Sequence, residues 1–263
     1  MMVRAMTAAD IPAGLRLCRG SNWNQLEDDW RFFLNHGGAA LAIRRDDVVG
    51  SVAWLPFGRD FAWLSMMLVD TAERRSGIGS QLMEAALEGI GSLHVRLDAT
   101  PAGEPLYRRF GFEGEYQLER TKVATGQHRP SQRVRAMEAA DLPAIFARDR
   151  DVFGADRSAL LADLYRRAPE LAWTADGAYC FGRPGYKYWQ IGPVVADSGD
   201  RAREVVGHCV AAHQGRVFAL DVPQRPDGLA FSVERPFLRM SRGVPRRHGI
   251  PEQVFAIAGP EFG

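Results

Sequence analysis

The chain has 263 residues, of which 46% are hydrophobic and 25% charged. This is the composition of a globular protein with enough apolar side chains for about two domains. Its 33 lysines and arginines nearly balance its 32 aspartates and glutamates, and the formal net charge of +1 argues against general binding to nucleic acid or a membrane surface. Because no apolar run could span a bilayer and the first residues lack a signal-peptide core, we expect a cytoplasmic protein.

The three cysteines, Cys18, Cys180 and Cys209, are far apart, and none belongs to a Cys-x-x-Cys pair. This spacing predicts neither a disulfide framework nor a zinc site. His208 and His213 lie on either side of Cys209 at a spacing that metal ligands can have, but the apolar neighbours are more typical of a core helix. We therefore predict that the protein holds no metal.

The beginning of the chain recurs near its middle. Residues 3–13 read VRAMTAADIPA and residues 134–144 read VRAMEAADLPA, so they differ at two positions. Each copy predicts a strand followed by a helix, with Asp10 or Asp141 as a capping acid and a proline in the first turn. The repeat predicts two copies of one fold, at residues 1–126 and 133–263, joined by a polar linker at residues 127–132.

In the first copy, two apolar segments around residues 45–47 predict a hairpin. The apolar run at residues 63–69 predicts a buried strand, and Ile78, Leu82 and Ala86 then recur at helical spacing. A basic turn containing glycines, residues 74–80, connects this strand to the helix. A further short strand is predicted at residues 94–97.

The turn at residues 74–80 predicts an anion site. The first amides of a helix have no partner within it and carry the positive end of its dipole, and glycines let a phosphate approach the backbone. A P-loop would need a Gly-Lys-Ser/Thr sequence, which is missing, and a dinucleotide-binding turn would need a third glycine where Leu82 stands. These two phosphate-binding motifs are therefore excluded.

In the second copy, residues 156–167 have the apolar spacing of a helix, and residues 179–181 and 186–191 predict a hairpin. Residues 253–258 predict a terminal strand that pairs with the first copy or with another subunit.

Alignment of the two copies on Asp70 and Asp197 predicts a difference in anion binding. Glu204 and Val206 stand where the first copy has Gly77 and Gly79. A carboxylate and a β-branched side chain would keep a phosphate off the backbone, so we expect the second copy to have lost the site.

Two motifs resemble one family. Arg74, Gly77 and Gly79 resemble the acyl-CoA motif of the GNAT acetyltransferase superfamily, Arg/Gln-x-x-Gly-x-Gly/Ala directly after a strand. Residues 106–112 are similar to the Leu-Tyr-x-x-x-Gly-Phe segment that follows the next strand in GNAT enzymes. The resemblance implies an α+β protein of two tandem GNAT-fold domains, each with a mixed, mostly antiparallel central sheet flanked by helices. The second domain is expected to be degenerate and to wall the acceptor cleft of the first.

The resemblance also implies residue roles in the first domain. Acetyl-CoA is the expected acyl donor, and Tyr107 is the expected general acid that protonates the departing thiolate. An alternative is that Tyr107 is simply an aromatic side chain of an amphipathic helix. The expected cofactor-binding residues are Met67, Leu68, Val69, Arg74, Arg75, Ser76, Gly77, Ile78, Gly79 and Ser80.

The acceptor is expected between the first two helices of the first domain. By resemblance, Trp23, Asn24 and Gln25 lie where GNAT folds place a connection that borders the acceptor, and they are the predicted substrate-binding residues. Glu27 is a candidate general base. The alternative reading makes Asn24 and Glu27 the start of a helix whose acidic first turn is solvated.

The sequence therefore predicts an N-acetyltransferase that moves an acetyl group from acetyl-CoA to a primary amine of a small molecule or peptide. A non-catalytic acyl-CoA sensor and an interaction module, which could form a homodimer, remain open alternatives. No nucleic-acid or membrane partner is expected.

Overall fold

The structure, a computed structural model, describes residues 1–123, 128–223, 231–243 and 248–263. The strands of the first half are β1 (Met2–Ala5), β2 (Gly38–Arg44), β3 (Asp47–Phe57), β4 (Phe61–Val69), β5 (His94–Ala99) and β6 (Glu113–Val123). Its helices are α1 (Ile11–Gly20), α2 (Glu27–His36), α3 (Ile78–Ile90) and α4 (Glu104–Arg109). The predicted hairpin is confirmed as β2 and β3.

The second half repeats most of this order, except that no helix is described between β11 and β12 and a further strand, β13, is added. Its strands are β7 (Arg135–Ala136), β8 (Trp173–Ala175), β9 (Ala178–Arg183), β10 (Trp189–Ala196), β11 (Phe218–Val222), β12 (Phe231–Arg242) and β13 (Val254–Ala256). Its helices are α5 (Leu142–Phe153), α6 (Ser158–Arg167) and α7 (Gly199–Ala212). Residues 126 and 127, where the predicted first domain ends and the predicted linker begins, lie outside the described residues.

The described strands form one continuous sheet. Their order is β1-β2-β3-β4-β5-β12-β6-β11-β10-β9-β8-β7, and β13 pairs with β10. The pairs β4/β5 and β10/β11 are parallel, and the remaining pairs are antiparallel. The predicted fold class, a mixed and mostly antiparallel sheet with flanking helices in each half, is confirmed.

The two halves exchange one strand each at the centre of this sheet. β12 of the second half lies between β5 and β6 of the first, and β6 lies between β12 and β11. Among the described strands, β6 therefore has neighbours only from the second half. The predicted boundary separates two copies in sequence but not in the sheet.

A buried ion pair fastens each exchanged strand to the other half. Arg239 on β12 donates to both carboxylate oxygens of Asp98 on β5, at 2.8 and 2.9 Å. Arg120 on β6 donates to both oxygens of Asp221 on β11, at 2.7 Å each. All four side chains are buried. Removing one partner of such a pair costs about 3–5 kcal/mol, because it leaves an uncompensated buried charge.

The halves also share a hydrophobic core. Alternate residues of β2 face opposite sides of the sheet, so Leu41 packs in a cluster with α1 and α2, whereas Ala42 packs in a cluster with α3. The first cluster continues through α5 and α6 of the second half and includes Phe262 near the end of the chain. The second half packs α7 on its own cluster.

The repeated segment makes the same contacts in both copies. Arg4 pairs with Asp10 and Arg135 pairs with Asp141, each through two bonds of 2.7–2.8 Å. Each aspartate also accepts the backbone amide three residues before it, at 2.8 Å. The hydrogen bonds from Arg4 hold the pKa of the Asp10 carboxyl well below its usual range. As predicted, Asp10 and Asp141 stand immediately before α1 and α5, with a proline in the first turn of each helix, but their side chains accept no hydrogen bond from the helix and instead close the short turn that precedes it.

The described part of the predicted linker is bound to α7. The Ser131 amide donates to Nδ1 of His208 at 3.0 Å, and the Ser131 hydroxyl donates to Glu204 at 2.6 Å. In the described ranges, no group of His, Cys, Asp and Glu side chains is arranged to hold a metal ion. No helix in those ranges combines the length and apolar character that crossing a bilayer requires.

The terminal strand pairs within its own half. β13 is antiparallel to β10, with Val194 opposite Ala256 and Val195 opposite Val254. The prediction that residues 253–258 pair with the first copy or with another subunit is therefore wrong.

Candidate active site

β4 and β5 separate partway along their length. They pair at residues 61–63 and 94–96. Beyond that point, residues 64–69 of β4 have no partner on the β5 side among the described strands. The predicted cofactor-binding residues Met67, Leu68 and Val69 thus lie along the edge of an open cleft.

A bulge bends β4 beside this cleft. The register with β3 shifts between Ser51 and Ala53, and Met66 has a φ of 53°. The Ser51 hydroxyl donates to the Met66 carbonyl at 2.9 Å and holds the bend in place. A bulge of this kind re-aims the backbone groups of the strand that carries it.

The predicted phosphate turn ends at the start of α3. Gly77 is the residue before the helix and has a φ of 86°, a left-handed conformation that favours glycine. Among the described residues, the amides of Ile78 and Gly79 have no hydrogen-bonding partner. Unpaired amides at the positive end of a helix dipole suit a phosphate group, so the turn fits the diphosphate of coenzyme A.

The backbone of this turn is more available to a ligand than its side chains are. Arg74 donates to the Val69 carbonyl at 3.3 Å, and the Ser76 hydroxyl is bonded to the backbone three residues earlier. The Ile78 side chain lies in the core. Arg75 is exposed and has a φ of 63°.

Gly79 and Ser80, in the first turn of α3, contact α4. A Cβ atom at Gly79 would lie 3.1 Å from Leu106, so the glycine here permits close packing of two helices. The Ser80 hydroxyl accepts a hydrogen bond from Arg109 at 3.2 Å. These contacts place α4, and with it Tyr107, beside the turn.

A cavity lies where β4 and β5 separate. Both halves contribute to its wall. The lining residues are Trp23, Gln25, Leu64, Ser65, Met66, Met67, Asp98, Thr100, Tyr107, Arg120, Arg235, Phe237, Pro260 and Glu261.

Tyr107 brings a buried phenol to this cavity. The residue is 7% exposed, and its ring lies 6.0 Å from that of Phe112. Gly103 leaves room for the ring, since a Cβ atom there would lie 3.0 Å from it. Burial raises the pKa of the Tyr107 phenol above its usual value, so the group is protonated at neutral pH.

Two of the three predicted acceptor residues line the cavity. Trp23 and Gln25 do, but Asn24 is used elsewhere. Its Nδ2 donates to the Tyr188 carbonyl at 3.0 Å, and its Oδ1 accepts the Lys187 amide at 2.8 Å. Asn24 therefore holds the loop between β9 and β10 in the second half. These hydrogen bonds satisfy both polar atoms of its buried side chain.

Glu27 does not line the cavity. It is the first residue of α2, its side chain is 53% exposed, and it pairs with Arg31 one turn later. Asp29 is the acid that accepts an amide at the start of this helix, from Leu26 at 2.8 Å. Glu27 is solvated, as the alternative reading expected, but Asp29 in the same turn is buried and paired with Arg167, so the turn as a whole is not solvated. We assign no catalytic role to Glu27.

Comparisons with known proteins agree with this geometry. Two family models, both described as an acetyltransferase (GNAT) domain, match residues 32–114 and 145–246, one in each half. The chain belongs to the GNAT acetyltransferase superfamily. It carries two GNAT domains in tandem.

Two curated relatives and two solved structures show how far the likeness extends. The uncharacterized N-acetyltransferase YitH of Bacillus subtilis (strain 168) is 24% identical over 95% of this chain and 94% of its own. Holothin acyltransferase of Pseudoalteromonas sp. (strain SANK 73390) is 24% identical over 81% of this chain and 71% of its own. A putative acetyltransferase from Pyrococcus horikoshii has a TM-score of 0.86 at 23% identity, covering 100% of this chain and 95% of that one. A tandem GNAT protein from the clavulanic acid biosynthesis pathway has a TM-score of 0.62 at 11% identity, covering 92% and 98%.

In the second GNAT domain, the corresponding cleft is filled by the chain itself. β10 and β11 pair only at residues 189–190 and 218–219, as β4 and β5 do in the first domain. β13 then pairs with β10, and the Ile257 amide donates to the Asp221 carbonyl on β11 at 2.9 Å. β13 thus occupies the separation that stays open in the first GNAT domain.

The second GNAT domain also lacks the phosphate turn. α7 begins at Gly199, directly after Asp197 and Ser198. Glu204 and Val206 therefore lie inside the helix, and their predicted place in a turn is wrong. The structural differences from the first GNAT domain are the early helix start and β13, which occupies the cleft.

Two charged cavity residues, Arg235 and Glu261, were not predicted from the sequence. Arg235 reaches the first GNAT domain on the exchanged strand β12. Glu261 arrives on the C-terminal segment, which is anchored where the Trp63 indole donates to the Pro260 carbonyl at 2.9 Å. Neither belongs to a motif, so only the fold brings them to the site.

Proposed function

We propose that the protein is an N-acetyltransferase whose first GNAT domain moves an acetyl group from acetyl-CoA to a primary amine. The observation that carries this proposal is the separation of β4 from β5. It opens a backbone edge that runs from the cavity beside Tyr107 to the unpaired amides at the start of α3.

The donor is held mainly by backbone groups. The unpaired amides of Ile78 and Gly79, in the turn from Arg74 to Ser80, bind the diphosphate, supported by the helix dipole. The open edge at Met67, Leu68 and Val69 bonds the pantetheine arm, and one of its amides polarises the thioester carbonyl. Acetyl-CoA supplies the activated acetyl group and a thiolate leaving group.

Transfer requires three proton movements. An alkylamine has a pKa of about 10.4 in water and must lose a proton, to solvent, before it attacks. The new bond joins the amine nitrogen to the acetyl carbon, the nitrogen loses its second proton to solvent, and the carbon–sulfur bond breaks. Tyr107 gives its proton to the departing thiolate and is then reprotonated from solvent. Trp23 and Gln25 line the space for the amine.

The direct test is to incubate the protein with acetyl-CoA and a panel of primary amines and to measure free thiol. We expect thiol release that depends on the amine. Acetyl-CoA at about 100 times its dissociation constant should also stabilise the fold by about 2.7 kcal/mol. Stabilisation without thiol release from any amine would indicate an acyl-CoA sensor. If acetyl-CoA causes neither stabilisation nor thiol release, the result indicates an interaction module and contradicts the proposal.

A further inference from the structure

Most charged side chains that line the cavity form ion pairs with other side chains of the protein. Asp98 accepts two hydrogen bonds from Arg239, and Arg120 donates two to Asp221. These pairs are buried, and their ionic hydrogen bonds are satisfied within the protein. Among the charged lining residues, Arg235 and one oxygen of Glu261 have no such partner in the described ranges.

Arg235 is a partly buried cation without a counter-ion. Its guanidinium lies 4.8 Å from the centre of the Phe237 ring, and its Nε is buried with no hydrogen-bonding partner among the described residues. In those ranges no carboxylate lies within salt-bridge distance of it. It stands opposite Arg120 in the register of β12 and β6. Burial and the neighbouring Arg120 lower the pKa of Arg235 more than Tyr188, Asp221 and Glu234 raise it.

The cavity wall also contains two acceptor atoms without a partner in the described ranges, one on Glu261 and one on Gln25. Glu261 is 3% exposed, and one of its oxygens accepts from Arg183, whereas Oε2 is buried without a partner in the described part of the chain. Gln25 is 4% exposed, and its Oε1 is likewise unpaired. Both atoms are acceptors and need an N–H donor, which an amine provides. Buried polar atoms are normally hydrogen-bonded, so unpaired ones in a cavity wall mark where a ligand binds.

We propose that the acceptor is a zwitterionic amine, whose amino group donates to Glu261 and Gln25 and whose anionic group binds Arg235. A carboxylate or a phosphate has the charge and the paired oxygens that a guanidinium recognises. This inference rests on the proposed function and names the substrate class of the same site. The aromatic side chains of Trp23 and Phe237 also line the cavity.

The test compares amines that differ only in their anionic group. The pairs are β-alanine and β-alaninamide, L-lysine and cadaverine, and phosphoethanolamine and ethanolamine, each with acetyl-CoA. We expect a higher kcat/KM for the anionic member. Arg235→Gln should lower that value by about ten- to a hundredfold and leave the neutral member unchanged. Glu261→Gln should lower both members alike, because it removes the contact to the amino group.

Arg216→Gln is the matched control for Arg235→Gln. Arg216 is exposed and lies 4.5 Å from the centre of the Trp189 ring, so it is also an arginine stacked on an aromatic ring, but it does not line the cavity. It should change neither member of any pair. Since Arg235 lacks a counter-ion, Arg235→Gln should not lower the melting temperature. A large drop would show a structural role and contradict the inference.

Two further measurements distinguish failure of this inference from failure of the proposed function. Succinyl-CoA tests whether the anion belongs to the donor: an Arg235→Gln effect confined to succinyl-CoA contradicts a zwitterionic acceptor. Turnover with equal kcat/KM within every pair also contradicts the inference but leaves the proposed function intact. If no amine releases thiol, the proposed function fails, and the inference is then tested by the melting temperature of the protein with each amine. A larger rise in melting temperature with the anionic member of each pair, lost in Arg235→Gln, supports the inference. An equal rise with both members contradicts it.

Discussion

Tyr107 is the residue on which the proposed chemistry depends most directly. Its phenol is buried in the cavity wall, and its raised pKa keeps it protonated at neutral pH. Low-polarity surroundings disfavour a thiolate as they do a phenolate, so the same burial increases the thiolate's affinity for a proton. A buried tyrosine can therefore serve as the acid that this leaving group needs.

Tyr107→Phe should remove this acid while keeping the ring. We expect kcat to fall by about 10²- to 10⁴-fold with little change in the KM for acetyl-CoA, because the phenol acts on the leaving group and not on the diphosphate. Steady-state kinetics with a thiol-reactive dye would measure both constants. Tyr186→Phe is the control, since Tyr186 is exposed and lies outside the cavity. An unchanged kcat in Tyr107→Phe would show that the phenol is not the acid.

Residues around the acceptor show where sequence reasoning reached its limit. Trp23 and Gln25 were predicted in the acceptor pocket and line the cavity, but Asn24 between them binds the backbone of the second half. Arg235 and Glu261, which no motif marks, occupy the same wall. Contacts between residues so distant in the chain depend on the assembled sheet, and a local pattern carries no information about them.

At the scale of elements, the open edge of β4 and the glycine turn before α3 form the proposed donor site. Gly77 has a positive φ, and nothing lies within 4 Å of the position of its Cβ. Gly91, at the other end of the same helix, has a φ of 73° and equally open surroundings. The two glycines differ in that Gly77 adjoins the unpaired amides.

Because Gly77 and Gly91 have similar backbone conformations and surroundings, their valine variants form a matched pair. Gly77→Val and Gly91→Val should each lose about 1–3 kcal/mol of stability, because a β-branched residue is strained at positive φ. Gly77→Val should in addition raise the KM for acetyl-CoA at least about tenfold, whereas Gly91→Val should not. Thermal melts and acetyl-CoA titrations of turnover would separate the two effects. Equal KM values in both variants would remove the turn from the donor site.

The order of elements was predictable, but their boundaries were less so. Apolar runs and helical spacing located β4 and α3, because burial on one or both faces imposes those periods. The start of α7 was misplaced because an alignment on Asp197 assumed a turn of equal length in both copies. The early helix start and the insertion of β13 are tertiary features, and they explain the missing second cleft better than Glu204 and Val206 do.

At the scale of the whole molecule, the duplicated chain is one interlocked sheet. The repeat at residues 3–13 and 134–144 predicted two copies of a fold, and both copies are present. The exchange of β6 and β12 was not predictable, because the two strands occupy equivalent places and either could complete either half. Two buried arginine–aspartate pairs and a shared core hold the exchanged arrangement.

The exchange predicts that neither half is stable alone. Residues 1–127 would leave β6 without either neighbour and β5 without β12, exposing strand edges that promote aggregation. We expect this fragment to be insoluble when expressed alone and soluble when co-expressed with residues 128–263. Size-exclusion chromatography of the co-purified fragments would measure recovery. A soluble, active fragment 1–127 would contradict the interlocked account.

The most direct test of the central claim is calorimetric titration of the intact protein with coenzyme A. The account predicts a single binding site per chain, because the first cleft is open and β13 fills the second. It also predicts that Gly77→Val weakens binding at least about tenfold while Gly91→Val retains it. A second site per chain, or unchanged affinity in Gly77→Val, would contradict the assignment of the donor site to the first GNAT domain.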